Sequence, residues 1–299
     1  MMDTQHSTRR IGLIGVGLVG TVLAKRLLAE GFGVLGYDVA AERVDELKRC
    51  GGQGADSPAA VASEVDCVLL SLPDSSVVRY VVEGPDGVLH AGRLPSYVID
   101  TTTGDPDDTE ALAERLAQRG IALLDATISG SSRQLAERTA VLMVGGEKAA
   151  FDACLPVLRV LSDRLFHLGP TGSGSKAKLA TNLVLGLNRL VLAEGLVFAE
   201  KLGLDLGAFL ELLRAGPAYS AAVDVKGTKM RNGDFTPEAR LKQHSKDVSL
   251  ILKHAGKAGQ ELPLSAVHAD ILAKAIGAGE GDLDTSAIIN EIRRRTSQS

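Results

Sequence analysis

From Ile11 to about Leu168, short apolar runs alternate with stretches in which apolar residues recur every three or four positions. Ile11–Ile14, Gly33–Tyr37, Cys67–Leu72, Tyr97–Ile99, Ala122–Ala126, Ala140–Val144 and Leu165–Leu168 read as strands. Leu18–Glu30, Asp107–Arg119 and Lys148–Leu158 carry the helical period. Strands alternating with helices of this length predict βαβ units and a largely parallel sheet. The punctuation agrees: Gly31 follows the first helix as a left-handed cap would, and Pro106 stands where a first helical turn begins.

The alternation stops at Gly169-Pro170-Thr171-Gly172-Ser173-Gly174, the strongest breaker cluster in the chain. Beyond it, as far as Ile292, only helical periodicity is found. The first helix there is long, about residues 175–202, and Gly203 closes it. Two domains are expected: a dinucleotide-type α/β domain over residues 10–169 and an all-helical domain over residues 170–299. A length of 299 residues suits two domains.

Composition narrows the function classes. The net charge is -4 with no block of like charges, which argues against a nucleic-acid partner, whose footprint is a clustered basic surface. Cys50, Cys67 and Cys154 are widely spaced and show no metal-ligand spacing, so a reducing, cytoplasmic setting without metal dependence is expected. Met1 to Arg10 is polar, lacks the apolar core of a signal peptide and is expected to fray. The most apolar stretch, Leu183 to Ala199, is interrupted by Asn188, Arg189 and Glu194. A membrane span needs about 20 nearly uncharged residues. The stretch reads as a buried helix, with no membrane partner.

Gly15-Val16-Gly17-Leu18-Val19-Gly20 fits G-x-G-x-x-G after an apolar strand and at the opening of a helix, the context that the pattern requires. Gly15 allows the tight turn, Gly17 lets a pyrophosphate approach the backbone, and Gly20 lets helix pack on strand. The helix N-terminus supplies unsatisfied N–H groups and partial positive charge to phosphate. A plain strand–helix turn is the alternative. The pattern predicts a Rossmann-type doubly wound sheet. Asp38 ends the second apolar run, where a carboxylate accepts from the adenosine ribose hydroxyls and repels a 2′-phosphate. NAD is therefore expected over NADP, unless Asp38 only forms a turn. Leu72 and Pro73 close the next long strand and are candidates to flank the cofactor.

Five motifs in this order resemble the β-hydroxyacid dehydrogenases, the group holding 3-hydroxyisobutyrate dehydrogenase and tartronate semialdehyde reductase in the 6-phosphogluconate dehydrogenase superfamily. The resemblance runs from about Arg10 to Arg295. The glycine loop is one motif, and Leu72-Pro73 is similar to M-L-P, with Ser71 in place of Met. Asp100-Thr101-Thr102-Thr103-Gly104-Asp105-Pro106 is similar to D-x-S-T-x-x-P, which implies that Thr103 meets the nicotinamide side. Asp125-Ala126-Thr127-Ile128-Ser129-Gly130-Ser131 resembles D-A-P-V-S-G-G, the loop that holds the substrate carboxylate. Gly172 to Asn182 resembles G-x-G-x-x-x-K-x-x-N-N, which makes Lys178 the catalytic lysine. Lys246-Asp247-Val248-Ser249-Leu250 resembles K-D-x-x-L, which places Lys246 by the nicotinamide and leaves Asp247 structural. Thr127, Ser131, Thr181, Ala239 and Gln243 depart from the family pattern, at positions where it puts substrate or nicotinamide.

The residues themselves suit that chemistry. The cofactor carries the hydride, and the protein orients the substrate and moves the proton. Lys178 and Asn182 are four apart on one helical face, about 6 Å along the axis, and Gly186 leaves room beside them. An exposed helix lysine is the alternative for Lys178. Ser129 and the amides of Gly130 and Ser131 are donors for a carboxylate, or members of a hydrogen-bonded turn. Arg133 is either a solvated helix charge or a bidentate anion contact. His244 and the other histidines read as surface or helix-packing residues.

The resemblance implies an NAD-dependent oxidoreductase that transfers hydride between a nicotinamide and a small hydroxy acid or semialdehyde. Lys178 is the general acid/base, and Ser129, Gly130, Ser131 and Asn182 hold the substrate. The alternatives are a reductase of an anionic three- or four-carbon aldehyde (tartronate, succinate or a sulfonated semialdehyde) and a non-catalytic NAD-binding protein. Imine-reducing relatives generally carry another residue in place of the lysine. The apolar helix Leu179–Leu202 needs more cover than one small domain gives, so a homodimer or homotetramer is expected.

Overall fold

The structure, a computed structural model, describes residues 10–295. The polar N-terminal segment expected to fray lies outside the described residues, apart from Arg10. The chain divides into two compact units, one running to Lys178 and one starting at Leu179.

The first unit is a single eight-stranded sheet clothed in helices. In chain order it runs β1 (Arg10–Ile14), α1 (Leu18–Ala29), β2 (Gly33–Tyr37), α2 (Ala41–Arg49), β3 (Gln53–Gly54), α3 (Pro58–Ser63), β4 (Cys67–Leu70) and α4 (Ser75–Glu83). It continues with β5 (Tyr97–Asp100), α5 (Pro106–Ala117), β6 (Ala122–Ser129), α6 (Ser132–Ala136), β7 (Val141–Gly145), α7 (Lys148–Leu161) and β8 (Arg164–His167). The sheet order is β3-β2-β1-β4-β5-β6-β7-β8. Every pairing is parallel except β6 with β7. The chain winds outward from β1 to β3 and then resumes at β4 on the other side. That reversal opens a crevice beyond the carboxyl ends of β1 and β4, where doubly wound sheets bind ligands.

The central strands are apolar throughout because both faces are covered. Leu13, Leu69, Ile99 and Leu124 pack with Leu23, Leu27, Cys154 and Leu158 on one face. Ile14, Val68, Leu70 and Val98 pack with Val61, Val82, Leu112 and Leu116 on the other. Helix starts follow local chemistry. Asp74 and Asp105 accept from the first-turn amides of α4 and α5, and Pro106 occupies the first turn of α5. Gly31 takes the left-handed conformation after α1, with φ +80°.

The second unit is helical. It holds most of α8 (Ser173–Lys201), then α9 (Leu206–Ala215), α10 (Thr228–Asn232), α11 (Leu241–Lys257), α12 (Pro263–Ala275) and α13 (Ile288–Arg294). Its core joins Leu192, Leu196, Leu210, Met230, Leu241, Ile271, Leu272 and Ile289. Asp284 is a fully buried hub that accepts from Lys226 Nζ and from the amides of Glu238, Ala239 and Ser286. Burial pushes its carboxyl up, but the Ser286 amide and Lys226 outweigh it and hold the pKa well below the usual range. By length and hydropathy α8 could cross a membrane; half of its most apolar window is buried inside the protein.

Candidate active site

The glycine loop opens where β1 ends. Gly15 has φ +93°, and a Cβ there would lie 2.2 Å from the Ser71 carbonyl oxygen. A Cβ on Gly20 would lie 2.0 Å from the Gly15 carbonyl oxygen, so the first turn of α1 touches the loop. Gly17 is different. Nothing lies within 4 Å of its Cβ position, and it caps α1 without a side-chain hydrogen bond. The loop therefore presents uncapped amides around an open glycine, the donor set that suits a pyrophosphate. Val16 is buried, Leu18 exposed, and Val19 packs on the core.

Asp38 lies just beyond β2. Its Oδ1 accepts from the Ala40 amide at 3.0 Å, the turn role, and its Oδ2 accepts from the Val16 amide at 2.7 Å. The second contact sets the carboxylate against the glycine loop and leaves lone pairs for hydroxyl donors. On the neighbouring strands, the Leu72 amide donates to Thr102 Oγ1 at 3.2 Å and ties the loops after β4 and β5 together. Asp100 is buried and accepts from the Thr102 amide at 2.9 Å; burial pushes its carboxyl up to about 6, against the hydrogen bonds from Thr102. Pro73 and Thr103 follow, both half-buried or less, at these same strand ends.

Strand β6 and the start of α8 build the second part of the site. Alternate residues of a strand share a face, so Asp125, Thr127 and Ser129 point the same way. Asp125 accepts the Gly172 amide at 2.8 Å and the Ser175 amide at 2.7 Å, which caps α8. Thr127 is fully buried and donates from Oγ1 to the Gly174 carbonyl at 2.9 Å. That explains the hydroxyl where the family pattern has proline. Gly174 makes the approach feasible, since a Cβ there would come 2.5 Å from the carbonyl oxygens of Asp125 and Met143. One turn further on, Lys178 is 8% exposed and donates from Nζ to the Ile128 carbonyl at 2.5 Å. The amine is thus held at the residue before Ser129.

The loop that follows is a tight turn. Ser131 caps α6: its hydroxyl accepts from the Gln134 amide, and its own amide donates to Gln134 Oε1 at 2.9 Å. Ser129 is half-buried and Gly130 exposed beside Lys178. Arg133 is exposed and pairs with Glu137 at 2.9 Å, the solvated-charge arrangement.

In the second unit, Asn182 Nδ2 donates to Asp247 Oδ2 at 3.0 Å, and both side chains are buried. Lys246 Nζ is 3.8 Å from Asp247 Oδ1. Asp247 thereby fixes the Asn182 amide. Thr181, Ala239 and Gln243 are exposed. His244 and His268 are buried, with ring centroids 5.1 Å apart, as helix-packing residues. The roles of Asp125 and Thr127 escaped the reading of the sequence; their i, i+2 spacing on a strand was the signal for them.

Comparison with known proteins gives the family. Residues 10–169 match the NAD binding domain of 6-phosphogluconate dehydrogenase, and residues 172–292 match the NAD-binding domain described for NADP-dependent 3-hydroxyisobutyrate dehydrogenase. The chain is 34% identical over 292 residues to 2-(hydroxymethyl)glutarate dehydrogenase of Eubacterium barkeri, covering 97% of each. The chain belongs to the β-hydroxyacid dehydrogenase family. It is also 30% identical to glyoxylate/succinic semialdehyde reductase 1 of Arabidopsis thaliana, over 95% of this chain and 98% of that one. A solved 3-hydroxyisobutyrate dehydrogenase of Mycobacterium tuberculosis with L-serine superposes with a TM-score of 0.86 at 29% identity, covering 96% of this chain and 99% of that one. As a β-hydroxyacid dehydrogenase the protein is an oxidoreductase that acts on the hydroxyl group of hydroxy acids with a nicotinamide cofactor.

Proposed function

We propose that this β-hydroxyacid dehydrogenase is NAD-dependent, that Lys178 moves the hydroxyl proton, and that its substrates are small anionic hydroxy acids or the matching semialdehydes. The observation that carries the reading is the contact of Lys178 Nζ with the Ile128 carbonyl, which holds an amine beside Ser129 and Gly130. Those two residues offer a hydroxyl and an amide to a substrate carboxylate, with Asn182 as a further polar contact. In oxidation the carbinol C–H and O–H bonds break and a carbonyl forms. The nicotinamide supplies the hydride acceptor, and the proton passes to Lys178 Nζ; reduction reverses both transfers. Asp38, set against the glycine loop by the Val16 amide, supports NAD over NADP. Lys246 and Thr103 are assigned to the nicotinamide side.

The test is the NADH absorbance band with a panel of substrates and both nucleotides. The panel holds 3-hydroxyisobutyrate, tartronate and succinate semialdehydes, and 2-(hydroxymethyl)glutarate with its monoacid counterpart 2-(hydroxymethyl)pentanoate. Turnover is expected, faster with NAD. Asp38→Ala is expected to raise the KM for NAD by about 10- to 100-fold, the worth of hydrogen bonds to a charged acceptor, and to improve the relative use of NADP. Unchanged cofactor constants remove Asp38 from this role. Absence of turnover with every substrate and both nucleotides leaves a non-catalytic NAD-binding protein.

The assembly we assign is a homodimer or homotetramer. Val184, Val191 and Phe198 are spaced by seven on α8 and are 56%, 66% and 65% exposed, a stripe that a second copy of the chain would cover. Sedimentation at micromolar concentration is expected to show at least twice the 31.3 kDa chain mass. A single species at the chain mass overturns the assignment.

A further inference from the structure

An open groove of about 360 Å³ runs over α1 within the first unit, bounded by α2 and α6. It begins where the glycine loop ends. Leu18, the residue after the open Gly17, lines the groove and is 68% exposed. Thr21, one turn on, also lines it and donates from Oγ1 to the Val16 carbonyl at 3.2 Å, which ties the floor of the groove to the loop. Two cations enter the lining, Arg43 from α2 and Arg133 from α6, against the one carboxylate of Glu46. The first turn of α1 carries no acidic residue, so its uncapped amides add to the positive field at this end of the groove. The chain as a whole has a net charge of -4, so this cationic lining is a local feature.

The two arginines are answered differently. Glu46 stands 3.7 Å from Arg43 and lines the same groove, so that charge is met inside it. Arg133 pairs at 2.9 Å with Glu137, one turn on along α6, which is not part of the lining. The groove therefore gains the guanidinium of Arg133 without its carboxylate. The pair is solvated, with the two side chains 84% and 51% exposed, and exposed i, i+4 pairs are worth little. A phosphate offers the guanidinium the same two-oxygen contact as a carboxylate, and the fork of an arginine suits it. Exchanging Glu137 for a phosphate seated on the α1 amides thus costs little and brings opposite charges together. Position 133 also fits by connection: the Ser131–Gln134 capping box fixes the first turn of α6, on which Arg133 sits.

We propose that Arg133 leaves Glu137 when the dinucleotide binds and holds its pyrophosphate from the α6 side, across from the amides of the glycine loop. This rests on the dinucleotide site at the glycine loop and is independent of the assignments of Lys178 and of the substrate. The measurement is direct binding without substrate: NADH by its fluorescence, and ADP-ribose, which carries the pyrophosphate without the nicotinamide, by calorimetry. Arg133→Gln is expected to weaken both ligands about tenfold, the scale of one charge-assisted contact. It is also expected to make their affinity less sensitive to added salt than that of the wild type. Arg133→Lys, which keeps the charge but not the fork, is expected to recover part of the loss. Glu137→Gln separates a phosphate contact from a structural role, because it breaks the same ion pair yet leaves the arginine in place; its affinity for both ligands is expected to be at least that of the wild type. Equal weakening in Glu137→Gln and Arg133→Gln would mean that the pair merely steadies α6, and overturns the inference. So does a loss confined to NADPH, which would assign the arginine to a 2′-phosphate, and so does wild-type affinity in Arg133→Gln, with the glycine-loop site left standing in each case. A wild type that binds neither NADH nor ADP-ribose overturns the dinucleotide site and this inference together.

Discussion

Lys178→Ala is expected to lose turnover by about 10²- to 10⁴-fold while its affinity for NAD stays at the wild-type value, because one positioned proton-transfer group contributes on that scale. The separation of effects follows from placement. The amine is tethered to β6 at the Ile128 carbonyl, whereas the glycine loop and Asp38 stand at the ends of β1 and β2. Deleting the amine therefore leaves the dinucleotide contacts untouched. Added small primary amines are expected to restore part of the rate, since the cavity left by the side chain admits a free base. Lys178→Arg is expected to fail as Ala does, because a guanidinium does not give up its proton near neutral pH. Full turnover in Lys178→Ala, measured at saturating nucleotide and hydroxy acid, would remove the lysine from the mechanism.

The strands were legible because a doubly covered parallel sheet writes itself as uninterrupted apolar runs. Ile11–Ile14 and Cys67–Leu70 are buried along their whole length. β3 is a two-residue edge made of Gln53 and Gly54 and carries no such signature. α2 was equally silent: within Ala41–Arg49 only Leu47 is buried, so no apolar stripe forms. The antiparallel turn of β7 could not be read at all, since an apolar run does not encode strand direction. The site divides in the same way. Glycine spacing and the four-residue step from Lys178 to Asn182 are local and could be read. The contacts of Lys178 with Ile128 and of Asn182 with Asp247 span 50 and 65 residues, and only the fold joins them.

Asp125 provides the second large effect, and one that tells placement apart from chemistry. Its carboxylate accepts two amides at the start of α8 and so fixes where the helix, and Lys178 one turn on, emerges beside β6. Asp125→Ala orphans the Gly172 and Ser175 amides in a buried setting, at about 1–3 kcal/mol each, and is expected to lower Tm by several degrees together with kcat. The pH dependence of kcat should keep its wild-type shape at reduced amplitude, since the lysine remains but is held less well. Asp125→Asn removes the buried charge and keeps one acceptor oxygen, but its Nδ2 donor faces the second amide, so it is expected to recover only part of the stability. The direction of the pKa supports this. Burial raises the Asp125 carboxyl against the amides of Ser175 and Gly172. A raised folded-state pKa contributes stability that is fully present below the unfolded carboxylate range of about 4 and is lost as pH rises through the folded value. Asp125→Asn is accordingly expected to flatten the fall in stability across that interval. A wild-type Tm and kcat in Asp125→Ala would show that α8 needs no cap from β6 and that Lys178 is placed by other means.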